Sequence, residues 1–237
     1  MKKQFFHLSA ALMVAVILTS CEKQDRTDIV TDLEGYGYGI IKIGNQVWMT
    51  ENLRVGVYRD GSGILSRLYA DFEWASAGPA CAVYPDYSID GLNSESEVIK
   101  AYGLLYKWTC VTDPRGLCPQ GYHVPSRAEW QELVDYLGGE EVAGGRMKSK
   151  RTDPDSHPRW DEPNDGASDS YHFHALPGGF RSFMGWFDGV GYSGAWWATD
   201  ELSGAFGAMI EIYSDEESVS LTYRDKDCGL SVRCIQD

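Results

Sequence analysis

No Cys-x-x-Cys pair occurs in the sequence, which excludes a zinc ribbon or a thioredoxin-type redox site as its organising chemistry. There is no Gly-x-Ser-x-Gly elbow for a nucleophilic serine. There is no phosphate-binding loop and no dinucleotide fingerprint. Basic residues are scarce: 21 Lys and Arg stand against 35 Asp and Glu, giving a net charge of −14. So acidic a surface argues against nucleic acid or bare anionic phosphate as a partner. Solubility accounts for the charge, and carboxylates holding calcium are a narrower use of it. The apolar run 8–18 falls short of the roughly 20 residues that a membrane-spanning helix needs.

That run belongs to a leader. Lys2 and Lys3 precede it, and Leu18-Thr19-Ser20-Cys21 closes it. Basic, apolar and small residues followed by a cysteine form a lipoprotein signal peptide over 1–20, with Cys21 as the acylated residue. An ordinary secretory peptide cut nearby is the alternative. More than one hydrocarbon chain on Cys21 gives stable membrane attachment. Residues 22–35 are charged and lack aromatics, and read with Cys21 as a lipid anchor and flexible tether (21–35), with a reach of about 20 Å. From Tyr36 the composition shows no further break, so 36–237 reads as one domain.

Cys81, Cys110, Cys118, Cys228 and Cys234 follow Cys21. Export permits disulfides, and an odd count leaves at least one cysteine unpaired. Cys118 precedes the main helical segment, and Cys234 shares a strand face with Leu230 and Val232. A Cys118–Cys234 bridge would close nearly the whole core, worth about 4–5 kcal/mol in the chain-entropy model. Cys110 with Cys228 is the next pairing.

The segment 118–130 hands the chain into one amphipathic helix. Ser126 and Glu129 are spaced as a capping box, Trp130, Leu133, Val134 and Leu137 recur at helical spacing, and Gly138-Gly139 supply the stop. Residues 40–43 and 47–49 flank Gly44-Asn45 as a hairpin. Residues 56–98 read as a long irregular excursion, 102–108 as a strand or a single helical turn, and 144–170 as a Gly-, Pro- and Asp-rich loop. Alternation at Phe206, Ala208, Ile210 and Ile212, and again at Val219, Leu221 and Tyr223, predicts strands joined by the acidic loop 213–218. The class is α+β: a small twisted antiparallel sheet with one main helix and long irregular loops.

These segments resemble the major paralogous domain first named for Fibrobacter succinogenes, common in surface lipoproteins of Bacteroidetes-type bacteria. The likeness lies in residues 43–53, 102–108, 118–130, 137–139, 143–148, 175–181, 196–199 and 231–234, in order. The helix approach Val124-Pro125-Ser126 with Glu129-Trp130 is also similar to that of sulfatase-modifying (formylglycine-generating) proteins. The resemblance implies a C-type-lectin-like fold with the first and last strands close together, which a Cys118–Cys234 bridge fits. It implies an outer-membrane lipoprotein of a Gram-negative cell, surface-exposed or periplasm-facing. Fold likeness does not carry function with it.

Several residues are candidates for chemistry. Glu162-Pro163-Asn164, flanked by Asp161 and Asp165, matches the tripeptide of a calcium- and sugar-binding lectin loop, and its oxygens suit a hard cation. The lectin partner motif Trp-Asn-Asp is missing, and such a stretch is more often a turn. His172 and His174 alternate on one face, and His157 or Asp169 could join them as metal ligands. His123 reads as satisfying a local backbone group. Trp186, Phe187 and Tyr192 in a Gly-rich segment, with Trp74, Tyr84 and Tyr87 in the excursion, are aromatics that stack on sugars or anchor a partner, unless they plug the core. The expected function is a non-enzymatic binding or adhesion module for a glycan or a surface protein. The alternatives are a sulfatase-modifying-like enzyme with a reactive thiol and a structural subunit of an envelope assembly.

Overall fold

A computed structural model describes residues 28–66, 70–85 and 89–237. Cys21, the expected leader and Tyr87 lie outside the described residues. In chain order the elements are β1 (Ile29–Thr31), β2 (Gly37–Ile43), β3 (Gln46–Met49), α1 (Asp71–Ser76), β4 (Cys81–Ala82), α2 (Glu95–Tyr102), β5 (Leu105–Lys107), α3 (Trp108–Val111) and β6 (Tyr122–His123). There follow α4 (Arg127–Tyr136), α5 (Glu140–Met147), β7 (Gly178–Arg181), β8 (Phe187–Val190), β9 (Ser193–Glu201), β10 (Phe206–Tyr213), β11 (Ser220–Asp225), β12 (Gly229–Leu230) and β13 (Ile235–Gln236). The class is α+β, with strands predominating. No helix among the described residues is long and apolar enough to cross a membrane.

Helix α4 forms as its sequence dictates. The Ser126 hydroxyl accepts from the Glu129 N–H (3.2 Å), and the Glu129 carboxylate accepts from the Ser126 N–H (2.7 Å). At the other end the Gly139 N–H reaches Val134 O and the Gly138 N–H reaches Asp135 O, the paired bonds of a Schellman stop. Trp130, Leu133, Val134 and Leu137 are all fully buried.

The strands form two sheets rather than one small sheet. The first, in order β1-β2-β3-β13-β6, is antiparallel throughout and sets the last strand beside the opening hairpin, with Ile235 opposite Trp48. The second runs β11-β10-β9-β7-β12-β5-β4, with β8 paired to β7 and one parallel contact at Gly179 and Gly194. Side chains alternate across a strand, so β9 is buried on both faces. Trp196 joins Trp130, Ala208 and Ile210 in the core under α4, whereas Trp197 joins Tyr106, Met209, Cys118 and Cys234 in the other.

Two links close the domain. Cys118 is bonded to Cys234, joining the approach to α4 with the approach to β13. The buried Lys148 ammonium donates to the carbonyls of Tyr213, Ser214 and Glu216 (2.9–3.1 Å) and so holds the acidic loop after β10. Desolvation pulls its pKa down to about 8.

Some expectations need correction. The tether does not extend to residue 35: β1 pairs with β2, and the Asp32 carboxylate accepts from Tyr38 Oη (2.6 Å) and from the Glu34 and Tyr36 N–H groups. Backbone pairing and one carboxylate, reached by the Tyr38 hydroxyl, order this stretch although it holds no aromatic of its own. The start of the expected loop 144–170 is helical: α5 runs on to Met147, and Gly144 and Gly145 lie inside it where neighbouring backbone crowds the helix. A Cβ on Gly144 would lie 2.1 Å from the Ser218 carbonyl oxygen. The excursion 56–98 contains α1, β4 and the start of α2.

Candidate functional site

Seven of the eight tryptophans are structural. Trp48, Trp74, Trp108, Trp130, Trp160, Trp196 and Trp197 are buried, and each indole N–H donates to a protein acceptor. Trp186 is the exception at 48 % exposed. It ends the turn 182–186 between β7 and β8, closed by hydrogen bonds from Ser182 N to Trp186 O and from Gly185 N to Ser182 O. Phe183 and Met184 in the same turn are also exposed. Gly185 has φ +111°, and a Cβ there would lie 2.4 Å from Asp71 Cα, so only glycine lets the turn rest against the start of α1. That contact brings the turn beside the residue preceding Phe72, the most exposed large apolar side chain of the described residues.

Arg181 holds this turn from below. Its buried guanidinium donates from Nε to Gly185 O (2.6 Å) and lies over the rings of Trp74 (4.5 Å) and Phe187 (4.6 Å). Desolvation lowers its pKa to about 10. Phe183, Met184 and Trp186 thus form an exposed apolar tip on a braced support. Its chemistry is shape and burial, because only the indole N–H among these side chains can donate a hydrogen bond.

A concavity of about 320 Å³ lies elsewhere, between the loop after α3 and the start of α4. Arg59, Asp113, His123, Ser126, Glu129 and Thr199 supply its polar lining. His123 does not satisfy a backbone group as expected: its Nε2 meets Glu129 Oε1 (2.9 Å) and its Nδ1 meets Asp237 Oδ1 (2.8 Å). Desolvation opposes a charge on the ring, but the bonds to Asp237 and Glu129 prevail and raise its pKa. Glu129 spends its other oxygen on Ser126. Both imidazole nitrogens and the serine hydroxyl are therefore engaged, and none of them is a free base or nucleophile in this arrangement.

The remaining candidates disperse. Trp74 and Tyr84 are buried and belong to the core: Trp74 clusters with Ala80 and Ala82, and Tyr84 with Val98, Tyr102 and Leu105 of α2 and β5. Phe187 is half-buried, edge-on to Tyr84 at 5.2 Å. Tyr192 is exposed but leans on Tyr213 and donates to Asp215. Cys110 and Cys228 do not pair: both are free and buried, as is Cys81, and the Cys110 thiol donates to Ala80 O (3.3 Å). Asp161, Glu162 and Asp165 are exposed, but Asn164 turns inward and donates to Ser149 O (3.1 Å), so the four do not converge as one oxygen set. Asp169, His172 and His174 do come together, though not on a regular strand. His157 instead pairs with Tyr102 Oη (2.6 Å).

The sequence pattern of the Fibrobacter succinogenes major domain matches residues 41–236. The chain belongs to that family. No curated protein matches it, and no solved structure does either. The motif residues of this Fibrobacter succinogenes major domain hold its fold together. Asn52 Oδ1 accepts from Trp196 Nε1 (2.8 Å) and Arg233 Nη2 (2.9 Å), while its Nδ2 donates to Tyr102 O (2.9 Å), tying together four separated motif segments. The exposed tip residues Phe183 and Met184 escaped the sequence reading. The signal was a Phe-Met-Gly-Trp run where a hairpin turn is expected to be polar.

Proposed function

We propose that this domain is a non-enzymatic binding module of the cell envelope. In this reading it is a lipoprotein anchored through Cys21 in the outer membrane, and its lectin-like scaffold presents the turn 183–186 to a protein partner. The observation that carries the reading is the exposure of Trp186, the one tryptophan of eight left outside the core, at a turn braced by Arg181. Aromatic residues and methionine are enriched at the centres of protein interfaces. An apolar cleft suits this tip better than a sugar, since two of its three large side chains carry no polar handle. Asp71 and Asp188 flank it, so a basic rim on the partner would complement it.

The enzymatic alternative needs a reactive thiol. Burial pushes Cys81 up to about 12 and Cys110 and Cys228 up to about 11, the opposite of nucleophilic activation. The test is capture of envelope proteins by the full lipidated chain and by Trp186→Ala, alongside a glycan array with and without calcium. Partner capture that falls at least tenfold in Trp186→Ala supports the proposal. Equal capture by both, or glycan binding indifferent to the substitution, would sink it.

A further inference from the structure

Neither the aromatic tip nor the polar cleft uses the segment 169–175. Its backbone is pinned at alternate residues. Phe173 is fully buried, 5.8 Å from Trp48 and 6.1 Å from Trp130 between ring centroids, and its carbonyl accepts from Arg233 Nη1. Ala175, also buried, exchanges backbone hydrogen bonds with Met147 O and Ser149 N. His172 and His174, between and before these anchors, are turned to solvent. Their ring centroids are 5.8 Å apart.

Asp169 reaches the same place from the start of the segment. Its Oδ1 accepts from the His174 N–H (2.9 Å), its Oδ2 meets His174 Nδ1, and its carbonyl accepts from the His172 N–H (3.0 Å). One ligand atom from each of Asp169, His172 and His174 lies within 4.8 Å of the others. All three residues adopt left-handed backbone, with φ of 45°, 57° and 55°. Non-glycine residues enter that region at an energetic cost and persist only where surrounding packing imposes them. Here the packing of Phe173 and Ala175 does so.

We propose that Asp169, His172 and His174 form a binding site for a divalent transition-metal ion of the zinc class. Two imidazoles and one carboxylate are a donor set that zinc and its neighbours accept, whereas calcium and magnesium demand oxygen. A tetrahedral shell with bonds of about 2.0–2.1 Å sets its ligand atoms about 3.4 Å apart. Rotation of the exposed His172 and His174 rings, with the backbone held in place, would bring His172 in and open the direct His174–Asp169 contact to that spacing. The ion takes the place of the proton between His174 Nδ1 and Asp169 Oδ2, and that proton is released to solvent. Arg233 lies on the buried side, where its guanidinium is already engaged by the carbonyls of Phe173 and His174 and by Asn52. Three protein ligands leave a surface-facing position for water.

Calorimetric titration of the full chain in detergent with zinc chloride tests this. The expected result is one zinc per chain, with affinity lowered at least tenfold in His172→Ala and in Asp169→Asn. His123→Ala and His157→Ala should bind as the parent does. His172 is exposed, so its substitution leaves the fold intact, which circular dichroism checks. As a second readout, zinc should shift the imidazole NMR signals of His172 and His174 and leave those of His123 and His157 in place. No binding at about 100 µM zinc, or undiminished binding in His172→Ala, would overturn the proposal.

Discussion

Cys118 and Cys234 are disulfide-bonded with their α carbons 6.0 Å apart across 116 positions of sequence. The bond fastens the approach to α4 to the approach to the last strand. The loop it closes is long, and the chain-entropy model assigns such a loop about 4–5 kcal/mol. Reduction, or the double substitution Cys118→Ala/Cys234→Ala, should lower unfolding free energy by about that amount. Urea denaturation with and without reductant measures it. The three other described cysteines are buried, so reductant should have no second effect in the doubly substituted protein.

Asn52 gives one oxygen to two buried donors, Trp196 Nε1 and Arg233 Nη2. Asn52→Ala leaves an indole N–H without this acceptor and removes one partner of a buried guanidinium. The expected cost is about 3 kcal/mol, since orphaned buried donors lose about 1–3 kcal/mol each and charged ones more. Asn52→Asp would restore an acceptor and should recover part of the loss. Equal stability of Asn52→Ala and the parent in urea would contradict the hydrogen-bond assignment.

His123 gives the fold a pH window. Hydrogen bonds to Asp237 and Glu129 outweigh desolvation and hold the imidazole above its ordinary 6.5. Its contribution is complete below 6.5 and is lost as pH rises through the raised folded value. Desolvation works to raise Glu129, but its bonds with Ser126 and His123 hold it below its ordinary 4.5. Its contribution is complete above 4.5 and is lost as pH falls through the lowered folded value. The pair therefore stabilises most between these limits. His123→Gln should flatten the decline on the alkaline side, read from melting temperatures between about pH 5 and pH 8.

Trp74 and Trp186 should respond oppositely to truncation. Trp74→Ala empties a fully buried site that supports Arg181 and should cost about 3–5 kcal/mol. Trp186→Ala removes an exposed ring and should change stability by no more than about 0.5 kcal/mol. Comparable losses in urea would mean that Trp186 serves the fold and not a partner.

Local patterns were readable where neighbours in sequence are neighbours in space. The Ser126–Glu129 cap and the stripe from Trp130 to Leu137 appear as the spacing requires, and the strand expected over Phe206 to Ile212 forms, though it is buried on both faces and Phe206 itself is exposed. Helix α5 was hidden because Gly144 and Gly145 lower its propensity, and they are there for the close approach of residues 166 and 217–218. The same limit applied to aromatics: Trp74 and Trp186 look alike in composition, and only packing separates them.

By itself the sequence determined the α+β class, the family and the capped helix, because periodicity, capping and motif order act over short ranges or as a linear pattern; it offered the Cys118–Cys234 pairing, and the structure decided it. Tertiary structure decided which tryptophan of eight faces outward, that His123 lies between two carboxylates, and that Asp169 meets His172 and His174. Those facts depend on contacts between distant segments and on backbone torsions imposed by packing, which residue identity alone does not encode.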